Sequence, residues 1–149
     1  MLRRNRALIG VAFSIAILAL LITTGCTPSG PTWVDSGASY TTKNVSGVLD
    51  KVDISSLKDT SAGDTTQLRH KALTDLRRRG GNASLAADLI TKTLPANTRG
   101  VPVYVERATM NGQSAYLLVE AIGPANGNLT TKRLWVLSSA GAVLFVGTR

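Results

Sequence analysis

Apolar and polar positions recur with several different periods along this 149-residue chain, and each period predicts a different element. An uncharged apolar run from Ala7 to Leu21 comes first. Residues 27 to 46, "TPSGPTWVDSGASYTTKNVS", carry few large apolar side chains and many Ser, Thr, Gly and Pro, the composition of a flexible tether. Trp33 and Tyr40 are its exceptions, suited to docking on a folded domain or to a lipid interface. In "NVSGVLDKVDI", Val45, Val48, Leu49 and Val52 fit a helical repeat while Val48, Val52 and Ile54 fit alternation. Residues 45–57 therefore read as strand or helix, with the strand preferred.

Helical periodicity dominates next. "DTTQLRHKALTDLRRR" opens on Asp64 as a cap candidate and places Leu68, Ala72, Leu73 and Leu76 on one face. It ends in Arg77, Arg78 and Arg79 before Gly80-Gly81, the stop that a helix C-terminus favours. "NASLAADLITKTLP" predicts a second helix with Leu85, Leu89 and Ile90 in register, Asn82 or Ser84 as cap and Pro95 as stop. The two-glycine joint predicts an αα-hairpin.

Alternation takes over from residue 101. "VPVYVERATM" and "SAYLLVEAI" flank Asn111-Gly112, a hairpin signal that needs φ > 0 at both central positions. "KRLWVLSS" and "AVLFVGT" turn near Ala140-Gly141. A two-residue first turn sets Val105 opposite Leu118, Val103 opposite Glu120 and, on the other face, Glu106 opposite Leu117. A three-residue second loop pairs Trp135 with Phe145 and Leu137 with Val143, with Val136 and Leu144 on the other side.

These elements make an α+β fold: a two-helix hairpin packed on an antiparallel four- to five-stranded sheet, in one domain over residues 47–149. Leu68, Leu76, Leu85 and Leu89 supply one apolar layer, enough for one sheet face. The last hairpin is apolar on both faces, so Trp135, Phe145, Leu137 and Val143 are the candidate ligand or partner face. The expected cover for the second face is the segment Val45–Leu57, then a second subunit, then an apolar ligand.

The start of the chain, "MLRRNRALIGVAFSIAILALLITTGC", has a basic stretch, an apolar stretch and small residues in the order of an export signal. Thr24 and Gly25 directly before Cys26 resemble a bacterial lipoprotein signal; Thr23 stands where Leu is usual. The resemblance implies cleavage after residue 25, diacylglycerol on Cys26, and a domain held at the cell membrane on its extracytoplasmic side. The alternative is an uncleaved single-pass anchor, since Leu8–Thr24 is just short of the ~20 residues a span needs. Both place the domain outside. The mature chain also resembles, in element order and Ala/Arg/Thr-rich texture, small exported lipoproteins of high-GC Gram-positive bacteria.

Charge and chemistry narrow the function classes. Setting Arg3, Arg4 and Arg6 aside leaves 14 Lys/Arg against 9 Asp/Glu, a modest basic excess with few aromatics, which does not point to nucleic acid. One His and one Cys cannot make a zinc site, and no cofactor motif occurs. His70, between Arg69 and Lys71 on a helix, reads as a solvated residue, so no triad is expected. Glu106 and Glu120 fall on opposite sheet faces and cannot flank one bond. Arg77, Arg78 and Arg79 complement a helix C-terminus, with Asp75 paired to Arg79, or else contact an anionic surface. The expectation is a noncatalytic binding or accessory module of the cell envelope, anchored through Cys26, with an envelope protein or an apolar ligand as partner. An envelope enzyme with an unrecognised site and a structural subunit of an envelope complex are the alternatives.

Overall fold

The computed structural model describes residues 30–95 and 99–149. The expected signal segment and Cys26 lie outside the described residues. Five strands form one mixed sheet in the order β1-β2-β3-β4-β5: β1 (Thr32–Tyr40), β2 (Gly100–Met110), β3 (Gln113–Ile122), β4 (Thr131–Ser138) and β5 (Val143–Thr148). Strands β2 to β5 are antiparallel neighbours, while β1 runs parallel to β2. A parallel pair needs a long crossover. Residues 41–99 supply it, carrying a short α1 (Val48–Lys51) and two longer helices, α2 (Thr65–Arg79) and α3 (Gly81–Thr93).

Strand β1 corrects two expectations, the all-antiparallel sheet and the tether over residues 26–46. Its composition misled for a physical reason: an edge strand buries little, and here only Trp33, Val34, Ala38 and Tyr40 are partly covered. It also bulges, because Asp35 pairs with Arg107 and Ser39 with Thr109, leaving Ser36, Gly37 and Ala38 opposite Ala108 alone. Gly37 takes φ +62, which glycine adopts without strain. The domain therefore begins before residue 47.

The preferred strand over residues 45–57 is also corrected. Val45, Val48 and Leu49 are buried on one side of a 3₁₀ turn and α1, so the helical spacing wins. Lys132 of β4 donates to the carbonyls of Leu49 and, at 3.1 Å, of Val52, satisfying acceptors at the end of this short helix. With Val52 and Ile54, the segment packs on one face of the sheet against Ala108, Leu117, Val119, Leu134 and Val136.

Helices α2 and α3 pack on the other face, through Leu73, Leu76, Ala86, Ala87 and Ile90 against Val105, Tyr116, Leu118 and Leu137. Gly80 and Gly81, at φ +70 and +53, reverse the chain between them. Two expected positions differ. Leu85 is 59% exposed, and the buried stripe of α3 is instead Ala83, Ala86, Ala87 and Ile90, small side chains that admit close approach. Leu68 turns toward the opposite cluster. Asp64 makes no side-chain cap; Ser61 caps the preceding turn through Gly63 N–H at 3.2 Å.

Hairpin registers follow the turns, with two bulges. Asn111 and Gly112 take φ +50 and +81 as a two-residue turn requires, and Val105↔Leu118 and Glu106↔Leu117 pair as expected. Val103 does not face Glu120: Pro102 does, and Val103 is the extra residue before Tyr104↔Val119. In the last hairpin Leu137 pairs with Val143, yet Trp135 meets Val146 and Val136 meets Phe145, Leu144 being extra. Trp135 and Phe145 therefore lie on opposite faces.

Candidate functional site

A cavity of about 470 Å³ opens where β2 outruns β1. Pairing of β1 with β2 starts at Thr32↔Tyr104, so Gly100–Val103 extend past the first residue of β1. Pro102 has no N–H to continue the ladder, and the bulge at Val103 turns the strand there. Buried Ala72, Val101 and Pro102 form the floor with half-buried Leu57 and Leu68, and exposed Asp53, Ser56 and Lys71 stand at the mouth. The Ser55 hydroxyl and then its N–H donate to Asp53 at 2.7 and 2.8 Å and hold that carboxyl below its usual range.

Gly30, Pro31 and Thr32 line the same cavity, clasped by the C-terminal end of α2. Arg79 Nη2 donates to the Pro31 carbonyl at 3.0 Å. Gly30 lies so close to Asp75 that a Cβ there would stand 2.9 Å from both its Cβ and Oδ2. The path of the chain as it joins β1 is fixed at the cavity wall.

Two carboxyl groups are buried inside the fold, one on each face. Glu120, fully buried on the helix side, receives Arg69 Nη1 on Oε1. On Oε2 it receives Arg133 Nη2 at 2.8 Å, Arg133 Nε at 3.2 Å and Trp135 Nε1 at 2.9 Å. Arg133 also stacks over the Trp135 ring, 5.0 Å from its centroid. Arg69 Nη1 reaches the Gly100 carbonyl at 3.2 Å. Gly100 is required by proximity: a Cβ there would come within 2.5 Å of Glu120 Oε2.

Glu106 is 2% exposed on the opposite face, and hydroxyls alone supply its side-chain hydrogen bonds among the described residues. Ser36 and Tyr40 donate to Oε1, Tyr40 at 3.2 Å; Tyr104 donates to Oε2 at 2.9 Å. The bulge of β1 is what carries Ser36 over the carboxyl. Burial, then the hydrogen bond and charge of Glu106, push the Tyr104 phenol well above its usual range; burial and the Glu106 charge raise Tyr40 too. A raised phenol stays protonated in the fold after the unfolded chain has ionised, so its contribution is complete below about pH 10 and is lost as pH rises through the folded value. The urea midpoint is expected to fall from about pH 10 upward, and Tyr104→Phe to flatten that fall. Equal alkaline slopes in the two proteins would contradict the assignment.

Residues named from the sequence scatter. Trp135 and Leu137 pack toward α2 and α3, Phe145 packs on the other face, and Val143 is 46% exposed at the sheet edge, so they do not form one face. Arg77 is bound to α3 through Asp88 at 2.7 Å and Thr91 at 2.7 Å, and Arg79 holds Pro31. Asp75 meets Arg78 at 3.4 Å in place of Arg79, and Arg78 remains exposed. Glu106 and Glu120 do lie on opposite faces. Neither the cavity nor the hydroxyl cage is named from the sequence, although Tyr104 and Glu106, two apart in one strand, share a face by alternation. Among the described residues no helix is long and apolar enough to cross a membrane.

Compared with protein families, with curated proteins and with solved structures, the chain shows no match.

Proposed function

We propose that this chain is an extracytoplasmic lipoprotein, acylated on Cys26, whose domain is a noncatalytic binding module of the cell envelope with the cavity beside β1 as its binding site. In this reading α2 and α3 are a helical hairpin that covers one sheet face and steers the anchor-proximal chain. One observation carries it. The cavity wall includes Gly30, Pro31 and Thr32, only four to six positions after Cys26, so anchor and cavity are neighbours. The cavity is also within the 300–1,000 Å³ range of small-ligand sites, with an apolar floor and a few polar groups at its mouth. A thiol that carries lipid is no longer an unpaired cysteine in an oxidising compartment.

Intact mass spectrometry of the membrane-extracted protein tests the anchor. The expected mass lacks residues 1–25 and carries acyl groups that survive denaturation, and Cys26→Ser abolishes both changes. Wild type that retains residues 1–25 with no acyl mass would replace the lipoprotein by a single-pass anchor.

A further inference from the structure

We infer that the cavity receives an acyl chain of a bilayer phospholipid, with the lipid's polar group at the mouth beside Lys71 and Ser56. The inference rests on the lipoprotein reading. Four residue steps separate Cys26 from Gly30, which even fully extended reach about 14 Å. Gly30 is packed on Asp75 and Pro31 is hydrogen-bonded to Arg79, so that short span starts from a fixed point on the cavity wall. A lipid on Cys26 therefore holds the cavity within about half a bilayer thickness of the interface.

The lining matches an amphipathic molecule. Ala72, Val101 and Pro102 are buried and apolar; Lys71, Ser56 and the Asp53 carboxylate are exposed and polar, so an apolar tail and a zwitterionic head, its phosphate toward Lys71 and its cation toward Asp53, are accommodated in the order a bilayer lipid presents them. Exposed large apolar side chains elsewhere among the described residues are Leu85 on α3 and Val143, Leu144 and Val146 on the edge strand β5, none of which lines this cavity.

The full chain, extracted in mild detergent and mixed with phosphatidylcholine bearing a diazirine in one acyl chain, provides the test. Crosslinks are expected on Leu57, Leu68 or Val103. They should drop about tenfold when Thr32→Trp fills the cavity from the exposed start of β1, and again with Leu57→Trp from the floor. Unchanged thermal unfolding of either variant confirms that its fold is intact. Crosslinks concentrated on Val143–Val146, or undiminished in both variants, would overturn the inference. The intact mass of the same sample reads Cys26 separately: an acylated Cys26 without cavity crosslinks removes the lipid ligand and leaves the anchor, and an unmodified Cys26 removes the anchor.

Discussion

Glu120→Ala is expected to lower the unfolding free energy by about 3–5 kcal/mol, the range found when one member of a buried ion-pair network is deleted. Glu120 is fully buried and holds two guanidinium groups and an indole N–H, so its removal leaves Arg69 inside the fold with no anion. Arg69 is the more damaging orphan, with its side chain only 8% exposed, whereas Arg133, at 21%, can turn toward solvent. The asymmetry predicts a second result. Arg69→Met combined with Glu120→Leu removes charge and counter-charge together and should recover much of the loss, because well-packed apolar replacements of buried ion pairs are often neutral. Urea denaturation followed by Trp fluorescence measures both. A loss below about 1 kcal/mol for Glu120→Ala would mean that the network is hydrated and contributes no more than a surface pair.

Local signals in the sequence were strong where a single element decides the outcome. Asn111-Gly112 predicted a two-residue turn, and the chain adopts it because Asn followed by Gly accepts two positive φ values cheaply. The glycine pair at 80–81 and the basic last turn of α2 likewise predicted a helix end. What stayed hidden depends on partners far along the chain. The strand character of Thr32–Tyr40 comes from the free edge of β2, about seventy residues later, and not from its own propensity. The bulges at Val103 and Leu144 shift register by one residue, which is enough to send Phe145 away from Trp135 and dissolve the expected face. Leu85 and the alanines of α3 are a similar case: periodicity marks an apolar face, but which apolar residues face inward is set by how closely α2 approaches. The cavity was beyond reach for the same reason, since it exists only because β1 begins late beside β2.

A chain beginning at Thr41 is expected to lose most of the stability that a chain beginning at Gly30 retains. Removing β1 takes Ser36 and Tyr40 from the Glu106 carboxyl, leaving Tyr104 as its one side-chain donor among the described residues. Hydrogen bonds to a charged group contribute about 1.5–3 kcal/mol each, so the two together account for about 3–6 kcal/mol. Loss of the β2 ladder and of partly buried Trp33 adds to this. Against a total of about 5–15 kcal/mol for a domain, little cooperative structure should survive. Thermal unfolding by circular dichroism compares the two chains, and Glu106→Gln in the longer one separates the causes: an amide can still accept from the hydroxyls but carries no charge, so its midpoint should lie between them. If the Thr41 chain unfolds within about 1 kcal/mol of the Gly30 chain, β1 is an appended strand and Glu106 is hydrated without it. If it does not, β1 is part of the fold itself, and the cavity wall that its first residue lines depends on that strand being in place.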